Sequence, residues 1–289
     1  MTQELNEMQK LFVYWIKERD TIRHKKEVGY PKPWSDDPIF QTYRFCNVER
    51  EKDTVSIWIK ENWIDPYRDH PNLWFAMIVA RLFNWPPTLE IIGFPDEDFL
   101  ESKPIWRTLL KSHRDVGGEK IFTGAYLVST NGVKMDKIDY ILDRVLAPIW
   151  ERGRAPYVYN NRNAGQEALE EYWTFLRQFD GLGSFMAGQV VADLKFTPLL
   201  ENAPDWMTWA PLGPGSIRGL NRYHGRPIDK ALRQEQGLKE IGEAQQLIKE
   251  QLDWLLPAHN VQNGFCELDK YIRVKNGEGR PRSTYPGAK

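Results

Sequence analysis

Asp180-Gly181-Leu182-Gly183 separates two stretches of helically spaced apolar residues, Gly165 to Phe179 before it and Ser184 to Leu194 after it, and no other segment constrains the fold as closely. Glycine tolerates positive φ and leaves backbone amides uncovered, so the pattern predicts two helices joined by a tight turn. The second helix then offers its N-terminus, where orphan N–H groups and the macrodipole favour an anion such as phosphate. A plainer reading stands beside this one: the glycines end one helix and let two others pack closely.

Composition limits where a polyanion can bind. The 289 residues carry 39 Lys+Arg and 40 Asp+Glu, a net charge of -1, so attraction has to come from local patches and not from the whole-molecule field. Basic residues gather in Arg19 to Lys26, Arg218 to Arg233 and Lys270 to Arg282, and acidic ones in Asp96 to Glu101 and Glu167 to Glu171. Twelve tryptophans and twelve tyrosines suit an aromatic core, and also surfaces that stack on an extruded base. A mean hydropathy of -0.58 argues against a membrane span, and the polar, acidic start from Met1 to Glu7 is unlike a secretory signal, which makes a cytoplasmic setting the expectation. Cys46 and Cys266 have no metal-type spacing and read as reduced, partly buried thiols. The five histidines are scattered and form no metal pair. No Gly-x-x-x-x-Gly-Lys-Ser/Thr occurs, which excludes a self-contained P-loop kinase within these residues.

Helical periodicity dominates. Leu5 to Ile16 opens with an amphipathic helix, Leu73 to Phe83 forms a buried one ending before Pro86-Pro87, and Met135 to Leu142 and Lys230 to Leu256 follow. Only Lys120 to Val128 reads as one short strand or an extended loop. The fold class is therefore mainly α. The tail Asn276 to Gly287, rich in Gly, Pro and Arg, is expected to be frayed or ordered by a ligand.

Two further segments concentrate chemistry. If Tyr43 to Thr54 is helical, Asn47, Arg50, Glu51 and Thr54 share one face with Asp53 beside them, and the apolar neighbours Tyr43, Phe45, Val48, Val55, Ile57 and Trp58 place those charges near a core or cleft wall. Composition alone equally allows a solvated helix of ion pairs. In Gly264 to Lys275, Lys270 and Arg273 share a helical face with Glu267; the cations suit phosphate oxygens and the carboxylate would orient them, although an ordinary salt-bridged helix has the same spacing.

Taken together, Arg44 to Asp53, the Phe179 to Leu194 hairpin, the loop Trp209 to Asn221 and Cys266 to Tyr271 resemble the phage thymine-hypermodification family: the helical domain of 5-hydroxymethyl-deoxyuridine DNA kinases and the amino acid:DNA transferases, also called α-glutamyl/putrescinyl thymine pyrophosphorylases. The resemblance runs from roughly Asp37 to Tyr285. The hairpin followed by Asp205 and the Gly/Pro-rich loop is similar to helix-hairpin-helix DNA glycosylases, which implies a helix-hairpin-helix, glycosylase-like two-lobed helical fold. A single helical domain 1–289 is expected, with lobes of about 1–155 and 156–289 flanking a DNA cleft.

The resemblance implies chemistry on DNA. A 5-hydroxymethyluracil DNA kinase, the implied partner, activates the base as a pyrophosphate ester in double-stranded DNA. The transferase then lets a free amino acid such as glycine, or another amine, displace pyrophosphate. Gly181 and Gly183, with Arg218, Arg222, Lys270 and Arg273, are the residues implied for DNA or pyrophosphate; Asp205, Glu51 and Asp53 for proton transfer or orientation; Arg50 and Asn47 for the amino acid. No cofactor is fixed by the sequence, and whether Mg2+ assists is left open; the implied setting is the cytoplasm of a phage-infected host. A monofunctional glycosylase using Asp205 is the enzymatic alternative, since the hairpin has Phe185 or Met186 where bifunctional glycosylases carry lysine. A non-catalytic DNA-binding module is the other.

Overall fold

A capping box starts the first helix. Asn6 Oδ1 accepts from Gln9 N, and Gln9 Oε1 accepts from Asn6 N, both at 2.9 Å. The computed structural model describes residues 4–123, 128–130, 132–152, 168–279, 281 and 283–285. In chain order its helices are α1 (Glu7–Glu27), α2 (Pro38–Thr42), α3 (Thr54–Ile59), α4 (Leu73–Phe83), α5 (Pro86–Ile92), α6 (Phe99–Asp115), α7 (Lys137–Asp139), α8 (147–152), α9 (Leu169–Leu176), α10 (Ser184–Leu194), α11 (Pro214–Tyr223), α12 (Gln234–Leu252) and α13 (Ala258–Lys275). π-helical turns Lys60–Ile64 and Tyr140–Leu146 extend α3 and join α7 to α8. Among the described residues there is no strand, only an isolated antiparallel bridge between Tyr43 and Thr284, so the chain is mainly α as its periodicity requires. The short strand considered for Lys120 to Val128 is absent at 120–123, and 124–127 lie outside the described residues.

The chain divides into two compact units, Met1–Asp53 with Met207–Lys289, and Thr54–Trp206. The boundary expected near Ala155-Pro156 lies outside the described residues.

In the unit Thr54–Trp206, α4 is buried along its whole length. Its one charge, Arg81, is 2% exposed and makes two 2.5 Å hydrogen bonds to Asp193 of α10, with further bonds to Ser56 and Asn84 at 2.8 and 3.1 Å. A buried guanidinium persists only when paired in this way. The sequence-predicted helix, turn and helix are present as α9, residues 177–183 and α10. Gly181 has φ +78°, and a Cβ there would lie 2.8 Å from Val145 Cγ2, so conformation and packing both exclude a side chain. Gly183 is the N-cap of α10, and Trp173 Nε1 donates to Ser184 O at 3.0 Å to tie the two helices together.

In the other unit, Phe12 of α1 stacks on Phe265 of α13 at 4.4 Å between centroids, within a core that includes Trp15, Ile16, Leu220, Ile241 and Leu268. Pro214 occupies the first turn of α11, and the Ser216 hydroxyl accepts from Gly213 N at 3.1 Å to cap it. Helix α11 then lies directly against α13. A Cβ on Gly219 would fall inside contact distance of the Phe265 carbonyl, and one on Gly215 would meet Cys266 Sγ. Gly219→Ala is therefore expected to lose about 2 kcal/mol or more through overpacking. Gly242→Ala, inside α12 with nothing within 4 Å of the new methyl, should gain roughly 0.5–1 kcal/mol. Urea denaturation of both variants checks this pair, and equal effects would contradict the close approach of α11 and α13.

Candidate active site

The segment before α3 is where sequence and structure differ most. Tyr43 to Glu49 is not helical: Arg44 N donates to Ser283 O and Tyr285 N to Thr42 O, both at 3.0 Å, so the chain's own tail holds the segment extended. Asn47 N then donates to Asp53 Oδ1 at 2.9 Å and Asn47 Nδ2 to Lys52 O at 2.6 Å, which closes a loop around the 3₁₀ turn Arg50–Lys52. This replaces the helical face expected for Asn47, Arg50, Glu51 and Thr54. The physical reason is that Asn and Asp side chains satisfy backbone groups that a helix would have used. The tail expected to fray or await a ligand is held at Ser283 and Tyr285 by the same contacts.

Helices α1 and α13 fix this loop from opposite ends of the sequence. Arg19, 5% exposed, donates from Nε to Phe45 O and Cys46 O at 3.1 and 3.0 Å and from Nη2 to Asn47 Oδ1. Cys46 N donates to Glu267 Oε2 at 3.0 Å, and the same oxygen takes Lys270 Nζ at 2.7 Å. Asn260 Nδ2 lies 3.2 Å from a Glu51 carboxylate oxygen. Thus Asn47, Glu51 and Asp53 do come together, beside Asn260, Glu267 and Lys270 of α13.

This environment shifts protonation. Burial pushes the Asp53 carboxyl above its usual range and Glu267 adds to the shift, against the Asn47 amide and the charges of Arg50 and Arg19. Burial pulls Lys270 down, but Glu267, assisted by Cys46, outweighs it and the ammonium titrates above its usual value. The thiols expected to be reduced and partly buried are both free; burial holds Cys46 well above the ordinary range and pushes Cys266 up to about 11, so neither is a thiolate at neutral pH.

A second cluster is built on the seam between α11 and α13. Asp269 is fully buried and accepts from Arg218 Nε at 3.0 Å and Arg222 Nε at 2.9 Å, while Arg273 Nε lies 3.3 Å away as an ion pair without a hydrogen bond. Arg222 also pairs with Glu278. The side chains of Arg218 and Arg273 stay 37% and 38% exposed while Arg222 is only 10% exposed, so two guanidiniums face outward from one buried anchor. The face expected to join Lys270 and Arg273 through Glu267 is divided: Lys270 takes Glu267 and Arg273 takes Asp269.

The remaining expected residues belong to the unit Thr54–Trp206: Gly181 and Gly183 in the turn, and Asp205. Asp205 Oδ1 accepts from Leu169 N at 2.7 Å and Oδ2 from Glu170 N at 3.1 Å, so its carboxylate caps α9 and is not a free base. Arg50 is 8% exposed. Asn260 and Asp269 are not signalled as site residues by the sequence, and Arg19 only as the start of a basic run. For Asp269 a signal exists, since it precedes Arg273 by one helical turn within an otherwise apolar face. Among the described residues no group of three or more His, Cys, Asp and Glu could hold a metal ion, so no residues are assigned to Mg2+. No helix of the described residues is long and apolar enough to cross a membrane.

The family model for the 5-hmdU DNA kinase helical domain matches residues 6–280, and the chain belongs to that family. The 5-hmdU DNA kinase of Bacillus phage SP10 is similar, with 28% identity over 225 residues covering 70% of this chain. The match covers 34% of that relative, so the chain spans about a third of its length. No solved structure matches.

The raised Asp53 carboxyl has a stability consequence. Ionised Asp53 costs the folded state free energy at neutral pH, and the cost disappears as pH falls through its raised pKa and the carboxylate takes its proton. Asp53→Asn keeps an oxygen acceptor for Asn47 N and removes the charge. The variant should melt at or above the wild-type temperature at neutral pH, with the advantage shrinking on acidification towards the ordinary carboxylate range. Thermal melts from neutral pH down to about pH 4 read this directly, and a variant melting well below wild type at neutral pH would contradict it.

Proposed function

We propose that this chain modifies a thymine-derived base in double-stranded DNA, transferring an amino acid such as glycine, or another amine, to pyrophosphorylated 5-hydroxymethyluracil and releasing pyrophosphate. Two things support the reading: membership in the 5-hmdU DNA kinase helical-domain family, and the outward-facing guanidiniums of Arg218 and Arg273 paired with buried Asp269. The last observation carries it. A departing pyrophosphate needs cations fixed in advance, and guanidiniums locked on a buried carboxylate need no reorganisation when charge develops.

In the proposed step the base leaves the stack, the amine nitrogen forms a bond to the exocyclic carbon, and the carbon–oxygen bond to pyrophosphate breaks, with its electron pair leaving on the pyrophosphate oxygen. The amine loses a proton, which Asp53 or Glu51 accepts; the raised affinity of Asp53 for a proton suits that task. Arg50, buried beside Asp53, is the cation assigned to an amino acid's carboxylate, while Asn47 holds the loop through Arg19 and Lys52. The upstream partner is a 5-hydroxymethyluracil DNA kinase that supplies the pyrophosphate ester, in the cytoplasm of a phage-infected cell.

Nucleoside mass spectrometry after incubating the protein with pyrophosphorylated 5-hydroxymethyluracil duplex and mixed amino acids tests the reading. An amino-acid adduct with released pyrophosphate is expected, and Arg218→Gln or Arg273→Gln should lower kcat of the folded protein by roughly ten- to a hundredfold, with a lower Tm because buried Asp269 loses one of its partners. Free base with abasic sites would replace the transferase by a glycosylase. Unchanged nucleosides with retained DNA binding would leave a DNA-binding module.

A further inference from the structure

Apart from both clusters, three exposed cations converge on two aromatic rings. Lys26 Nζ lies 5.1 Å from the Trp34 ring centre and 5.2 Å from that of Tyr285, Lys32 Nζ lies 5.1 and 5.3 Å from the same rings, and the Arg44 guanidinium is 5.8 Å from Tyr285. Trp34 and Tyr285 meet edge to face at 5.6 Å. The platform is built, not incidental: Tyr285 is 9% exposed and held by its backbone bond to Thr42, while Lys25 Nζ donates to Trp34 O at 2.8 Å.

Arg23, one turn before Lys26, is matched by Asp20 and Glu27, whereas none of Lys26, Lys32 and Arg44 has a carboxylate within ion-pair distance among the described residues. Like charges held together on a shared aromatic surface raise the local potential, and ring faces offset that repulsion only weakly at exposed sites. The surplus is felt by Lys26, whose ammonium is pulled below its usual range first by burial and then by Arg19, Arg44 and Lys32, against Asp53. Arg19 adds to the same field, and its Nη1 is buried without a hydrogen-bond partner.

We infer that Lys26, Lys32 and Arg44, mounted on Trp34 and Tyr285, form a docking surface for the phosphodiester backbone of DNA. This deepens the functional reading above and rests on it. Spaced phosphates supply the anions that the protein withholds here, and the rigid rings keep the cations in place without an acidic partner. Such contacts position the duplex and carry no sequence information. Each phosphate neutralised releases counterions, so each cation should contribute about 0.9 to the slope of log K against log salt.

The test is fluorescence anisotropy of the full chain with an unmodified duplex over a salt series, comparing wild type with the combined substitutions Lys26→Gln, Lys32→Gln and Arg44→Gln. The triple variant is expected to bind roughly ten- to a hundredfold more weakly in moderate salt, with the slope shallower by nearly 3. The combined Lys26→Arg and Lys32→Arg variant should bind like wild type. Each single Gln variant should lose about one unit of slope, which preserves the test should the triple variant fold poorly. Unchanged slopes in the single variants, or equal competition by polyglutamate, would overturn the surface. Because binding is read without turnover, an unchanged slope alongside adduct formation removes only this surface. A patch-dependent slope with no adduct formed removes only the transferase.

Discussion

The site depends on how closely two helices approach. Gly219 and Gly215 allow α11 to lie against α13 with the Phe265 carbonyl and Cys266 Sγ where side chains would otherwise stand. At that separation Arg218 and Arg222 of α11 reach the carboxylate of Asp269 on α13. A larger residue at either glycine would push α11 away from Asp269 and leave a buried carboxylate short of its partners, a costly state. The next face of α13 carries Glu267 and Lys270, which fix the loop containing Asn47, Glu51 and Asp53. One helix thus organises two clusters of different character.

The difference in character matters for chemistry. Around Asp269 the cations outnumber the anions, and two of them face outward. Around Asp53 a carboxyl is held in a buried setting that favours its protonated form, next to Arg50 and Arg19. Substitution at a modified base makes both demands: charge stabilisation for a phosphate leaving group and a proton acceptor for an amine. Proteins concentrate such perturbed groups at functional sites, although ion-pair networks produce them as well.

Much of the helical framework is legible in the sequence because its signals are local. Leu73 to Phe83 has the apolar run and the following Pro86-Pro87 that bound α4, and Gly181 has the positive φ its turn requires. Where partners are distant in sequence, the sequence misleads. Tyr43 to Glu49 has the spacing of a helix, yet it is extended because Ser283 and Tyr285 of the tail bond to Arg44 and Thr42 and because Asn47 and Asp53 close a loop locally. Asp205, a candidate aspartate by its position after the turn, has a second role that its sequence neighbourhood does not signal, as the cap of α9 through the Leu169 and Glu170 amides. Asp269 was passed over because its three arginines come from α11 and its own helix, a juxtaposition that only the close packing of α11 and α13 creates.

The central claim is that the base-directed site lies on the unit built from Met1–Asp53 and Met207–Lys289. Photocrosslinking tests it most directly, with duplex DNA carrying 5-iodouracil at the target position followed by peptide mass spectrometry. The account predicts crosslinks on the loop of residues 44–53 and on α11 or α13. Crosslinks confined to the unit Thr54–Trp206 would contradict it.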